Sequence, residues 1–107
     1  MDPKMKVRYE RRAEVFKALA HPVRLFMVEQ LAFGEKCVCD LTSMLDIDMS
    51  TVSKHLSVLR NAGVVSDEKR GANVYYRIRM GCVLGFFACV QEAIERQARE
   101  HLTVVSV

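Results

Sequence analysis

Apolar residues recur at helical spacing along most of the chain and at alternate positions in one short stretch. Val7, Ala13, Val15, Phe16, Leu19 and Ala20 stand among charges and predict a first helix over 7–20. His21-Pro22 ends it, because the residue before a proline avoids the helical region. Pro22 suits the first turn of a second helix. Val23, Phe26, Met27, Leu31 and Ala32 give that helix a buried stripe, and Gly34 stops it. The stretch from Cys37 to Leu45 is apolar on one side, through Val38, Leu41, Met44 and Leu45, and predicts a short third helix. Residues 46–50 form a turn in which Asp48 or Ser50 caps a fourth helix. Val52, Leu56 and Leu59 face inward from it, and Gly63 ends it.

From Val64 the period falls from 3.6 to 2. Two runs, 64–70 and 73–79, flank Gly71-Ala72. In the second, Val74, Tyr76 and Ile78 alternate with Tyr75, Arg77 and Arg79, which predicts a β-hairpin with one buried and one basic face. A last helix over 81–100 carries a wide apolar band of Val83, Phe86, Phe87, Val90, Ala93 and Ile94.

A chain of 107 residues, half hydrophobic and 27% charged, fits one folded domain over 1–107. Its core is thin, so dimerisation is the natural supplement, and the wide apolar band predicts it through the last helix. The polar start, Met-Asp-Pro-Lys-Met-Lys, is no secretory signal. The longest apolar run, 81–90, falls far short of the roughly 20 residues that span a bilayer. A cytoplasmic protein without a membrane role is expected.

The net charge of +3 is unevenly placed: residues 50–79 carry +4 and the remaining 77 carry −1. Helix, tight turn, helix and basic hairpin, in that order, make a winged helix-turn-helix, mainly α with a β-hairpin wing. In that arrangement the second helix enters the major groove of double-stranded DNA and the hairpin lies along phosphates. Ser50, Thr51 and Ser53 then stand at the groove-facing N-terminal end of the second helix, and Lys54 and His55 reach deeper. Lys69, Arg70 and Arg77 are the wing's candidates for phosphate contact.

The four cysteines, at 37, 39, 82 and 89, read as thiols before disulfides. Cys37 and Cys39 form a Cys-x-Cys pair that can chelate a soft metal. Both sit near a predicted helix N-terminus, where the dipole favours thiolate, and thiolates select As(III), Sb(III), Cd(II), Pb(II) or Cu(I). Cys82 and Cys89 lie on one helical face, about 10 Å apart by rise per residue, too far to share one ion without distortion. They read first as small buried hydrophobes at a dimer interface. His21 reads as a capping or packing residue, His101 as solvated, Met44 and Met49 as core, and Tyr75 and Tyr76 as hairpin packing. No acid–base pair, nucleophile–base set or phosphate loop appears, so an enzyme is not expected.

Three segments together resemble the ArsR/SmtB family of metal-responsive repressors. They are Ala18-Leu-Ala-His-Pro-Val-Arg24, Cys37-Val-Cys-Asp-Leu41, and the run from Ser50 to Val64 with Arg70-Gly and Tyr75-Tyr-Arg beyond it. The resemblance covers about residues 14–79. It implies a homodimer, formed by the first and last helices, that represses its operon on operator DNA until an inducer binds. Cys37-Val-Cys-Asp-Leu41 is similar to the metal box of the arsenic-sensing branch, which implies As(III) or another thiophilic ion as inducer. The third cysteine of that box is Thr42 here, so a third ligand would come from elsewhere, with Cys82 or Cys89 as candidates, or be a small thiol or water. The cadmium and lead branch uses N-terminal cysteines, and none precedes Cys37. The zinc branch uses Asp and His on the last helix, where this chain has Cys82, Val83 and Leu84, then Ala93 and Arg96. Two alternatives stand beside a metal-released repressor. One is a repressor of the same fold whose cysteines sense oxidants or persulfide. The other is a dimerisation module with no DNA role.

Overall fold

Asp2 accepts a hydrogen bond from the Met5 backbone N–H at 2.8 Å and Pro3 fills the first turn, so helix α1 runs over Pro3–Leu19 and begins earlier than apolar spacing predicts. A cap and a proline set that start, and neither shows in a hydrophobic pattern. The computed structural model describes residues 1–106. Helix α2 spans Pro22–Leu31 and is capped by His21, whose Nδ1 accepts from Val23 N–H at 3.1 Å. The capping reading of His21 therefore holds. Met27, Val28 and Leu31 are buried along α2, whereas Ala32, beyond its end, is exposed.

Next comes a strand that the sequence pattern did not predict, β1 (Lys36–Cys37), too short to show a period of two. Helix α3 (Val38–Ser43) follows at once, and α4 (Met49–Asn61) follows a turn. Asp48 is the cap of α4, accepting from Thr51 N–H at 2.9 Å. Gly63, at φ +83°, supplies the left-handed residue that turns the chain from α4 into the wing. Strands β2 (Val65–Arg70) and β3 (Asn73–Ile78) form the hairpin around Gly71, at φ +60°. Helix α5 spans Cys82–Ser106. No helix is long and apolar enough to cross a membrane among the described residues.

The sheet has the antiparallel order β1-β3-β2, so the wing's second strand is its centre. Val65 pairs with Ile78 and Asp67 with Tyr76, which turns Val65 and Tyr76 to the interior. They close a core with Leu19, Met27, Leu41, Leu56 and Leu59. Burying each such side chain contributes about 1.5–3 kcal/mol. Val83 brings the start of α5 into this core. Further along, Phe86, Val90 and Ile94 are 50%, 41% and 52% exposed. Met44 and Met49 are likewise exposed, a correction to the core reading, because both lie at the ends of the turn joining α3 to α4.

Candidate nucleic-acid interface and thiol site

Helix α4 sorts its residues by face. Val52, Leu56 and Leu59 are fully buried and hold it against α2 and the wing. Ser50 and Lys54 are exposed, and Ser53 is half-buried. Ser57, absent from the sequence candidates, extends this row; its hydroxyl donates to Ser53 O at 3.0 Å. Its place seven residues after Ser50 is the signal that could have found it. Thr51 is half-buried and engaged with Asp48, whose carboxyl is held below its ordinary range by the side-chain and backbone hydrogen bonds of Thr51.

His55 stands apart from that row. It is half-buried, and its ring lies 4.4 Å from that of His21, centroid to centroid. Arg24 Nη1 is 3.4 Å from His55 Nδ1. Burial, then the neighbouring His21 and Arg24, push the His55 pKa down and favour the neutral ring. The structure therefore places His55 at the α2–α4 seam rather than on the exposed polar face.

The charge of the segment resolves into paired and unpaired groups. Arg60, at the end of α4, donates to Asp67 of β2 at 2.9 Å and ties the helix to the wing. Arg70 is bidentate to Glu35, also reaches Glu68 at 3.0 Å, and lies 4.8 Å from the Tyr75 ring centre. Lys54, Lys69, Arg77 and Arg79 are exposed and make no ion pair among the described residues. Register puts Arg70 and Arg77 on one face of the hairpin with Asn73 and Tyr75. Lys69 lies opposite Val74, on the other face.

The cysteine pair sits where β1 becomes α3. Cys37 is buried, at 4% exposure, and Cys39 is exposed. Cys37 Sγ accepts from Asp40 N–H at 3.1 Å, and Cys37 N–H donates to Asp40 Oδ2 at 3.1 Å, a reciprocal cap for α3. Cys37 and Cys39 are joined in a disulfide, a correction to the reading of both as free thiols. Their Cα atoms are 5.3 Å apart, a spacing that permits the bond without backbone movement. Cys37 Sγ, Cys39 Sγ and an Asp40 carboxylate oxygen lie within 4.8 Å of one another. Reduced, this group offers two soft donors and one hard donor, which suits a thiophilic ion needing a third ligand. Cys82 and Cys89 are free and exposed on α5, and neither joins the cluster among the described residues. Within one protomer the third donor in reach is thus a carboxylate.

A helix-turn-helix with a polar, hydroxyl-lined second helix, followed by a two-stranded basic wing, defines a winged helix-turn-helix DNA-binding domain. Residues 21–67 match the family described as bacterial regulatory protein, arsR family. An uncharacterized HTH-type transcriptional regulator of Methanocaldococcus jannaschii is 42% identical over 71 residues, covering 64% of this chain and 80% of that protein. The arsenic resistance transcriptional regulator ArsR1 of Pseudomonas putida is 45% identical over 65 residues, covering 60% of this chain and 51% of that protein, about half its length. The solution structure of a homodimeric winged helix-turn-helix domain from Mycobacterium bovis, described as a possible ArsR-family regulator, superimposes with a TM-score of 0.80 at 29% identity. That superposition covers 94% of this chain and 93% of the other. The chain belongs to the arsR family, which is made of DNA-binding transcriptional regulators and not of enzymes.

Proposed function

We propose that the chain is a homodimeric repressor on double-stranded operator DNA, released when Cys37 and Cys39 engage a thiophilic metal or metalloid, with As(III) the first candidate. The observation that carries this reading is the position of the sulfur cluster. It caps α3, which packs directly on α4, so an ion drawing both sulfurs to itself acts one helix away from the DNA-facing row. Similarity to the Pseudomonas arsenic resistance regulator supports the choice of ion. Ser50, Thr51, Ser53 and Lys54 on α4, with Lys69, Arg70 and Arg77 on the wing, are the proposed DNA contacts. Arg70 must exchange a carboxylate for a phosphate to serve. His55 acts from behind, by setting the pose of α4 against His21 and Arg24.

The dimer reading rests on an apolar groove of about 600 Å³ between α1 and α5, lined by Phe16, Leu19, Leu25, Phe86, Val90 and Ile94. Phe16 and Phe86 meet across it at 5.7 Å between ring centres. A patch of this kind on a small domain calls for a partner surface. A second copy brings the same two helices.

A second reading has its own observation, the bond between Cys37 and Cys39. Here two thiols lose two electrons and two protons to a peroxide, which is reduced to water or alcohol as the disulfide forms. One experiment separates the readings. The reduced protein is titrated on operator DNA with arsenite, and in parallel with peroxide or persulfide, for wild type, Cys37→Ser and Cys39→Ser. Release by arsenite that both variants lose supports the metal reading. Release by oxidant alone supports the other. Release by neither in wild type overturns both.

A further inference from the structure

Cys37 is tied to the wing as well as to α3. In β1 it pairs with Tyr75 of β3, and Tyr75 pairs on its other side with Glu68 of β2. Residues directly opposite in a sheet share a face, so Cys37, Tyr75 and Glu68 form one row. Arg70, two residues beyond Glu68, lies on the same face, and its guanidinium sits over the Tyr75 ring. Arg70 grips both carboxylate oxygens of Glu35, with Nη2 to Oε2 at 2.8 Å. Glu35 stands two residues before Cys37. The connections therefore close a ring: Cys37 to Tyr75 by the sheet, Tyr75 to Arg70 by the stack, Arg70 to Glu35 by the ion pair, and Glu35 to Cys37 along the chain.

Arg70 ends β2 beside the Gly71 turn, so this ring reaches the tip of the wing. Cys37 is at once the last residue of β1 and the cap of α3. Its sulfur and its backbone thus serve the cap and the sheet at one residue. The route to α4 runs through α3, which packs on it, while the route to the wing runs straight through the sheet.

The geometry points to Glu35 as a positioning residue that, through Arg70, couples the state of the Cys37–Cys39 pair to the pose of the wing. This deepens the repressor reading, on which its DNA readout rests, by naming the element that responds. An exposed ion pair tunes such coupling rather than creating it.

The test uses the full chain, nitrogen-15 labelled, with Cys82→Ser and Cys89→Ser so that only Cys37 and Cys39 change state. Diamide takes the two thiol hydrogens and is reduced to the hydrazine as the disulfide forms; a phosphine reverses it. In this parent, oxidation is expected to move the amide signals of residues 70–73 at the wing tip. With Glu35→Gln added, those signals should move less than in the parent while the signals of residues 37–41 move as before. Reduced Glu35→Gln frees Arg70 from a carboxylate it would otherwise exchange for phosphate, so it should bind operator at least as tightly as the parent, and its oxidised-to-reduced affinity ratio should shrink by roughly 2- to 5-fold. Wing-tip signals that respond alike in both proteins, or in neither, overturn the proposal. An operator affinity indifferent to thiol state in the parent overturns the repressor reading instead, and the amide signals still decide the coupling.

Discussion

Cys37 and Asp40 cap each other: each offers its backbone N–H to the other's side chain, at 3.1 Å in both directions. The sulfur that would bind an ion is thus already serving a helix. Sensing and local stability compete for one atom, and the competition can be measured.

A serine hydroxyl caps a helix at least as well as a sulfur does. Cys37→Ser should therefore keep its denaturant midpoint close to that of reduced wild type and lose its response to arsenite. Asp40→Ala removes half of the reciprocal cap and should cost about 0.5–2 kcal/mol in unfolding free energy. A large stability loss in Cys37→Ser would show that the sulfur is held by more than the cap.

The unpaired cations should matter more for DNA than the paired ones. Lys54→Ala and Arg77→Ala are each expected to weaken operator binding and to lower the salt slope by about 1. The operator should be an inverted repeat with half-sites about one helical turn apart, or a multiple of it. An unchanged slope in a Lys54, Lys69 and Arg77 triple alanine variant would sink this interface.

The groove between α1 and α5 should hold a second copy. Phe86→Glu places a charge where Phe16 packs and is expected to yield a monomer by light scattering at micromolar concentration, with operator binding lost. Wild type running as a monomer under the same conditions would remove the dimer altogether.

The burial of His55 sets a pH window. His55 is held below its ordinary 6.5, first by burial and then by His21 and Arg24. The unfolded chain then takes up its proton before the folded one, so this contribution is full above pH 6.5 and is lost as pH falls through the folded value. Thermal melts from pH 7.5 to 5 should show a falling Tm that His55→Gln flattens. Glu35 and Glu68, held below 4.5 chiefly by hydrogen bonds from Arg70, act in a separate, lower window, where their contribution is lost as pH falls. An unaltered Tm slope in His55→Gln would assign the effect to other groups.

Much of this was legible in one dimension because it depends on near neighbours. The inward row Val52, Leu56 and Leu59 follows from helical spacing, and burial bears it out. The buried face of β3 follows from alternation, and Tyr76 is inside. His21 as a cap and Gly63 as a stop needed only local chemistry. What the pattern missed was set by partners far along the chain. Two residues of strand cannot show a period, and β1 exists because Lys36 and Cys37 meet Tyr76 and Tyr75. Arg70, a wing cation by sequence, is also paired with Glu35, 35 residues away. His55, a groove candidate by sequence, packs against His21 and Arg24. Backbone propensity, caps and apolar period are properties of a segment, so the sequence by itself determined the helices, the wing and the family. Which charge is neutralised, which ring is buried and which sulfur caps a helix depend on groups that only folding brings within a few ångströms, and the tertiary structure alone decided them.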